Sequence, residues 1–200
     1  MELRKGKDLV ELITFSEHYE ANLDHAVFEE HLNRKKAYTH ISEALEGLWY
    51  LHQNGIAHRR IRLKAILIKD NEAMISDGGI QGSVIPCGKI INGPIVRAPE
   101  TIIDGYCGIE SDMFQVGLIL WEAWYQKRAT FFNDDTQCFC KTYEDLETNI
   151  LRGKRPLLSS NLPPQSIAIK IRDCWEVNLN KRPYAKDVRD VISMYSKCNH

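Results

Sequence analysis

The stretch of sequence that decides the fold runs from Gly55 to Gly79 and reads GIAHRRIRLKAILIKDNEAMISDGG. Its second half holds two short apolar runs, 65–69 and 73–76, on either side of the polar residues Asp70-Asn71-Glu72. Short apolar runs around a polar turn are typical of a β-hairpin. The stretch therefore predicts a loop rich in arginine that leads into a small hairpin.

The segment before this loop, residues 36–53, is strongly amphipathic. Its apolar residues recur at steps of three and four, so they share one face of a predicted helix: Ile41, Ala44, Leu45, Leu48 and Leu51. Asn54-Gly55 is expected to end the helix, because glycine is the usual residue just past a helix C-terminus.

A second helix is predicted at 112–125 and is expected to be central and buried. Met113 to Tyr125 is apolar on almost every side, which leaves no face for solvent. Ser111 or Asp112 is the expected N-cap. Further helices are predicted at 8–15 (capped by Asp8), 143–152, 165–175 and 184–195, whereas 16–33 is interpreted as a loop or frayed helix.

Composition excludes several classes of function. The chain has 200 residues, 44% of them hydrophobic, and a formal net charge of −1, which suits one domain with a real core. We expect no nucleic-acid partner and no membrane, because the net charge is near zero and no apolar run approaches the roughly 18 residues that span a bilayer. Residues 1–8 lack the apolar core of a secretory signal. A cytoplasmic protein with reduced cysteines is therefore expected.

Six landmarks make the chain resemble the C-terminal lobe of a eukaryotic protein kinase, over essentially its whole length. In order they are His58-Arg59-Arg60 in place of His-Arg-Asp, Asp77-Gly78-Gly79 in place of Asp-Phe-Gly, Ala98-Pro99-Glu100 at the end of the activation segment, Asp112 with Gly117 in the central helix, Cys174-Trp175, and Arg182-Pro183. The last two look most like the tyrosine-kinase and tyrosine-kinase-like branches.

The resemblance implies a mainly α fold of the α+β class, a kinase-like C-lobe with a small β-hairpin over residues 1–200. It assigns 1–7 to a hinge remnant, 55–79 to the catalytic loop and metal-binding turn, 77–100 to the activation segment and 112–125 to the central buried helix. The sequence contains no glycine-rich loop and no strand lysine, so the N-lobe is expected to be absent. Either the chain is a fragment or the protein works without that lobe.

Most positions to which the resemblance assigns chemistry have changed. Arg60 stands where the family has its catalytic aspartate, and arginine stays protonated in proteins and cannot accept a proton. Arg62 replaces the phosphate-contacting lysine and keeps its charge. Ala65 replaces the asparagine that holds the second metal ion and offers no side-chain oxygen. Asp77 is the one metal ligand left, and we interpret it as vestigial.

The positions that the resemblance makes structural are better kept. Glu100 and Arg182 match a buried ion pair beneath the activation segment. Asp112 matches the residue that accepts backbone hydrogen bonds from the catalytic loop, and His58 matches a packing residue of that loop. A retained framework without its chemistry is what a pseudokinase looks like.

The nucleotide site is expected to be lost as well. Leu67 matches the floor under the adenine ring, and Glu2 and Arg4 match hinge positions. Without an upper lobe, we interpret all three as core or terminal residues. No cofactor is expected, and ATP and Mg²⁺ enter only if the chain is part of an active kinase.

Two hypotheses concern the basic loop. Arg60 or Arg62 is hypothesised to lie within salt-bridge distance of Asp77, so that a protein cation occupies the metal site. The cluster Arg59, Arg60, Arg62 and Lys64 is either a site for a phosphate or phosphopeptide or, as we favour, a basic cleft left by the substitutions.

Other chemistry-bearing or aromatic residues receive simpler interpretations. Ser83 is the only hydroxyl between Asp77 and Glu100, and we interpret it as an ordinary loop residue. The three tryptophans Trp121, Trp124 and Trp175 are expected in or near the core. A docking patch at Phe131-Phe132 and Phe139 is considered, although the surface that a missing N-lobe exposes is the stronger interface candidate.

The leading hypothesis is a catalytically inactive kinase-like domain that acts as a binding or regulatory module with a protein partner. The alternative is an ATP-dependent protein kinase of the tyrosine-kinase-like group whose N-lobe lies outside this sequence. A degraded gene product without a selected role is the third interpretation.

Overall fold

The structure, a computed structural model, describes residues 2–5, 10–13, 19–76, 96–129, 143–159 and 161–197. Its strands are β1 (Glu2–Lys5), β2 (Val10–Ile13), β3 (Ala21–Asn22), β4 (Ile66–Lys69) and β5 (Glu72–Ile75). Its α-helices are α1 (Leu23–Phe28), α2 (Arg34–Gln53), α3 (Pro99–Ile103), α4 (Ile109–Tyr125), α5 (Tyr143–Leu151), α6 (Gln165–Cys174) and α7 (Ala185–Lys197). Short 3₁₀ helices cover Leu63–Ala65 and Leu179–Lys181.

Helix α4 lies at the centre of the core, as its apolar sequence predicts. Thirteen of its residues are buried, and α2 and α6 pack against it. The wholly buried Tyr38 of α2 donates its hydroxyl hydrogen to the carbonyl of Leu120, 2.9 Å away, so its polar end is satisfied inside the core. The predicted mainly α architecture is confirmed.

The hairpin is also confirmed. Strands β4 and β5 pair antiparallel with Ile66 opposite Ile75 and Lys69 opposite Glu72. Asp70 and Asn71 both have positive φ (51° and 65°), the backbone that a two-residue hairpin turn requires and that these residue types tolerate. The sequence did not reveal the third strand, β3, which is two residues long and pairs with β4.

The predicted helix at 8–15 is wrong. Val10–Ile13 is a strand that pairs antiparallel with β1, in the register Glu2 opposite Ile13 to Lys5 opposite Val10. Within 16–33 the chain forms α1, capped by Asn22, whose side chain accepts from the backbone N–H of His25 at 3.1 Å. A four-residue run satisfies helix and strand patterns alike, and the pairing partner decides between them.

The expected start of the central helix is wrong as well. Helix α4 begins at Ile109, with Gly108 as its N-cap, one turn before Ser111 and Asp112. Both residues are buried. The side chain of Ser111 bonds to Glu100, and that of Asp112 accepts hydrogen bonds from residues more than 50 positions earlier in the chain. The helices predicted at 36–53, 143–152, 165–175 and 184–195 are present, with ends displaced by at most two residues.

Candidate functional site

The carboxylate of Asp112 in α4 binds the backbone of the loop that follows α2. This residue is completely buried. Its Oδ2 accepts the backbone N–H of His58 at 2.7 Å and faces Nε2 of His52 at 3.0 Å, and its Oδ1 accepts the backbone N–H of Arg59 at 2.6 Å. One α4 carboxylate thus ties the end of α2 and the arginine-rich loop together.

His58 ties the same loop to the end of the hairpin. Its Nε2 lies 2.6 Å from the carbonyl oxygen of Ser76, and its Nδ1 lies 3.3 Å from the backbone N–H of Arg60. One neutral tautomer satisfies both contacts, with Nε2–H donating and Nδ1 accepting. Burial lowers the pKa of His58 below its usual value, which favours this neutral form.

Three further residues that hold this framework were not identified from the sequence. Gln115, one turn after Asp112 on α4, accepts the backbone N–H of Ile61 at 2.8 Å. His52 supplies the buried partner of Asp112, and Ser111 donates its hydroxyl to Glu100 at 2.7 Å. The spacing of three between Asp112 and Gln115 places both on one helix face, but only the fold shows that this face meets the loop.

The basic loop brings two of the predicted positions close together. Arg59 has a left-handed backbone (φ 69°), a conformation that non-glycine residues adopt rarely and that clusters at functional sites. The half-buried Arg62 has a pKa lowered by burial and then by the charge of Arg60, with Asp24 acting in the opposite direction. Arg60 and Arg62 therefore lie near enough for the charge of one to act on the other.

Ala65 stands where the kinase resemblance places the ligand of the second metal ion, and its side chain is only a methyl group. Ala65 is 5% exposed, and its carbonyl accepts the backbone N–H of Ser76 at 2.8 Å. Leu67 lies in β4 between Asn22 and Met74 on the neighbouring strands and is partly buried. The backbones of Glu2 and Arg4 lie in β1, opposite Ile13 and Glu11.

Glu100 and Arg182 form a bidentate ion pair. Arg182 Nη1 lies 2.7 Å from Glu100 Oε1 and its Nη2 lies 3.0 Å from Oε2. The side chain of Arg182 is 1% exposed and that of Glu100 is 11% exposed. Burial alone would raise the pKa of Glu100, but hydrogen bonds from Arg182 and Ser111 outweigh it and lower that pKa. The pair joins α3 to the turn before α7.

Several predictions concern residues outside the described ones: Asp77 and its hypothesised bond to Arg60 or Arg62, Ser83, and the aromatic patch at Phe131-Phe132 and Phe139. Trp121, Trp124 and Trp175 are each 7% exposed, as predicted. The expectation of reduced thiols fails at Cys107, which is disulfide-bonded, whereas Cys174 is a free buried thiol.

The anchored loop, the hairpin and the central buried helix together define a kinase-like C-lobe. The family model described as "Protein kinase domain" matches residues 1–191. The chain therefore belongs to the protein kinase domain family, which confirms the class that its six landmarks indicated.

Relatives give a finer comparison. The "Dual serine/threonine and tyrosine protein kinase" of Homo sapiens is 30% identical over 154 residues, covering 75% of this chain and 16% of that protein. Its Mus musculus counterpart is 28% identical over 165 residues, covering 78% and 17%. "Cyclic GMP-binding protein C" of Dictyostelium discoideum is 28% identical over 167 residues, covering 78% and 6%. These relatives support the tyrosine-kinase-like resemblance, and the chain spans less than a fifth of their length.

Among the residues that the structure describes, no helix combines the length and the apolar character that a membrane-spanning helix needs.

Proposed function

We propose that this chain is a catalytically inactive kinase domain that acts through contacts with another protein. The observation that carries the proposal is the contrast within one loop. Its backbone is anchored by Asp112 and its His58 is bonded to Ser76, yet the positions for the base and the second metal ion hold Arg60 and Ala65.

Arg60 is the stronger of the two arguments. Asp112 fixes the backbone of His58 and Arg59, the two residues before Arg60, which supports the assignment of Arg60 to the position of the family's base. A guanidinium group has donors only and stays charged, so it cannot accept the proton of a substrate hydroxyl. Loss of a general base costs about 10² to 10⁴ in rate.

Ala65 argues against a full metal site. The side chain is buried and carries no oxygen, so it does not fit the role of a ligand for Mg²⁺, which prefers oxygen ligands. Together the two substitutions support a protein that has kept the kinase framework for its shape.

The alternative is an ATP-dependent protein kinase that uses ATP and Mg²⁺. Two observations favour it: relatives at up to 30% identity are named as kinases, and Arg62 keeps the positive charge of the lysine that it replaces. Under this alternative Asp77 would be an essential metal ligand.

A phosphotransfer assay separates the two functions. The longest polypeptide that contains these residues is incubated with labelled ATP and Mg²⁺ or Mn²⁺, beside its Asp77→Ala variant and an active unrelated kinase. We expect incorporation no greater than that of Asp77→Ala. Incorporation by the wild-type protein that Asp77→Ala abolishes would overturn the proposal and establish the alternative.

A thermal-shift measurement tests nucleotide binding independently of turnover. A ligand that binds only the folded state raises the melting temperature. We expect no shift with ATP and Mg²⁺ at millimolar concentration. The proposed protein partner is expected to bind wild-type protein and the Arg60→Asp, Ala65→Asn double variant equally well, since the hydrogen bonds of Asp112 and His58 that hold the loop use no side chain of residue 60 or 65.

A further inference from the structure

A cavity of about 190 Å³ lies where the end of α2, the start of α4 and the turn before α7 meet. This volume is below the roughly 300 to 1,000 Å³ of pockets that hold a drug-sized ligand, so the cavity suits one long side chain. Its lining is part apolar and part polar: Ile109, Met113, Leu179, Pro183 and Tyr184, with His52, Glu110, Asn180 and Arg182.

His52 contributes a buried imidazole with one nitrogen to spare. The residue is 7% exposed, and its Nε2 lies 3.0 Å from Oδ2 of Asp112. Because an ionised carboxylate only accepts hydrogen bonds, the neutral ring carries its hydrogen on Nε2 and a lone pair on Nδ1. Within the residues that the structure describes, Nδ1 makes no hydrogen bond, and His52 is part of the cavity lining. A donor on a ligand would satisfy this nitrogen.

Glu110 adds a carboxylate to the same lining. Its Oε2 accepts the hydroxyl hydrogen of Tyr106 at 2.9 Å, and its Oε1 makes no hydrogen bond to any described residue. Arg182 is the only cation among the described residues of the lining. Its guanidinium group already donates to Glu100 and to the carbonyls of Glu110 and Glu176. The cavity therefore offers acceptors to a ligand rather than donors.

The charge around the cavity is negative as well. Glu110 lines it, and the carboxylates of Asp112 and Glu100 are bonded to lining residues, so three negative charges surround one guanidinium group. Lys181 is exposed and does not belong to the lining. A cation that enters gains charge-assisted hydrogen bonds, which offset the cost of removing it from water.

An aromatic ring forms one wall of the cavity. Tyr184 is 61% exposed, and its ring packs against that of Trp49 with centroids 6.2 Å apart. The planar guanidinium group of arginine stacks on aromatic faces, whereas its apolar stem packs along apolar surface. Such a side chain matches a lining that combines a tyrosine, a methionine and a leucine with two free acceptors.

We propose that this cavity receives an arginine side chain of another protein. The guanidinium group has donors for both Glu110 and His52, and its stem packs against Met113 and Leu179. That the arginine belongs to a protein partner rests on the proposed function. The preference of the cavity for a guanidinium group does not, because no residue of the lining belongs to the basic loop.

Methyl NMR of the full chain measures this binding at one residue. Met113 lines the cavity and is 3% exposed, whereas Met74 and Met194 are exposed outside it and serve as internal controls. The chain, labelled on its methionine methyl groups, is titrated with millimolar Nα-acetyl-arginine amide at low salt. We expect a saturable shift of the Met113 resonance alone. The citrulline amide has the same shape without the charge and is expected to bind about tenfold more weakly.

Two variants test the lining. Glu110→Gln is expected to weaken binding of the arginine amide about tenfold, whereas Glu46→Gln, whose side chain is 75% exposed on α2, should have no effect. Tyr184→Leu removes only the aromatic wall and should weaken binding by a smaller factor, which provides a test if Glu110→Gln fails to fold.

Three results would overturn the proposal: no saturable shift of Met113, equal binding of the arginine and citrulline amides, or unchanged affinity in both Glu110→Gln and Tyr184→Leu. The titration reports on the cavity and the phosphotransfer assay reports on catalysis. A failure of this proposal is therefore distinguishable from a failure of the proposed function.

Discussion

Asp112 on α4 accepts the backbone N–H of His58 at 2.7 Å, although 54 residues separate the two along the chain. The same buried carboxylate accepts the N–H of Arg59 and contacts His52. Oδ2 serves His58 and His52 and Oδ1 serves Arg59, so both acceptor oxygens of Asp112 are used. This makes it the residue whose amide analogue is the most informative substitution.

Asp112→Asn is expected to lower the free energy of unfolding by about 1 to 3 kcal/mol. The amide group replaces one acceptor with a donor, so one of the two loop N–H groups is left buried without a partner. Urea denaturation measures the change. Asp104→Asn, an exposed residue on the loop after α3, is the matched control and should alter stability by less than about 0.5 kcal/mol.

Arg182→Gln is expected to cost about 3 to 5 kcal/mol, because it leaves the Glu100 carboxylate without its buried cation. The Glu100→Gln, Arg182→Gln double variant should recover part of that loss, since no uncompensated charge remains. Lys181→Gln, the exposed neighbour, is the control. Equal stabilities for Arg182→Gln and Lys181→Gln in urea would show that the ion pair contributes nothing.

The Glu100 carboxylate also predicts an acid response. Its folded-state pKa is lowered, so its contribution is present in full above the usual value of 4.5 and is lost as the pH falls through the lowered pKa. Stability measured between pH 7 and pH 3 should therefore fall more steeply in the wild-type chain than in Glu100→Gln. Parallel curves for the two proteins would contradict this assignment.

The sequence predicted the fold far better than the contacts of the site. Residues 36–53 and 113–125 have long apolar patterns that only a helix satisfies, and the polar turn at Asp70-Asn71 has local chemistry that specifies a hairpin. By contrast, β2 is four residues long, and whether it forms a strand depends on pairing with β1. A segment of four residues is too short for its hydrophobic periodicity to distinguish a strand from a helix.

The misplaced N-cap has a related physical cause. An aspartate near the start of an apolar helix predicts a cap, because its side chain is able to accept the first free N–H groups. Asp112 instead accepts N–H groups of a distant loop. The pairing of Asp24 with Arg128 spans 104 residues and has no local pattern either. Long-range polar contacts of this kind require the fold to be known first.

His58 provides a prediction about neutral to mildly acidic pH. Burial lowers its folded-state pKa, so its contribution to stability is present in full above the usual value of 6.5 and is lost as the pH falls from there through the lowered pKa. His58→Gln should remove this part of the pH dependence, whereas His25→Gln, whose side chain is 55% exposed, should not. Urea denaturation at several pH values between 7.5 and 5 is the measurement.

The His58 prediction has to be separated from the effect of Glu122 in α4, whose pKa is raised by burial to about 7. A raised carboxyl pKa changes stability with pH in the direction opposite to the lowered pKa of His58. Glu122 adds stability as the pH falls from about 7 to 4.5, so the two contributions partly cancel in the wild-type chain. The Glu122→Gln background removes that compensation and should make the net loss of stability between pH 7.5 and pH 5 larger. If the loss is unchanged in that background, one of the two assignments is wrong.

Gly117, in the middle of α4, lies where the central helix packs closely against the end of α6. A Cβ at this position would lie 2.6 Å from Nε1 of Trp175 and 2.8 Å from Cβ of Cys174. Gly117→Ala is therefore expected to destabilise the chain by about 1 to 3 kcal/mol through overpacking, despite the higher helix propensity of alanine. Gly47→Ala, in the interior of α2, meets only a methyl group of Ile75 at 3.2 Å and should change stability much less. A rise in the thermal midpoint of Gly117→Ala would show that Trp175 moves aside at little cost, and that the contact between α4 and α6 is looser than these distances indicate.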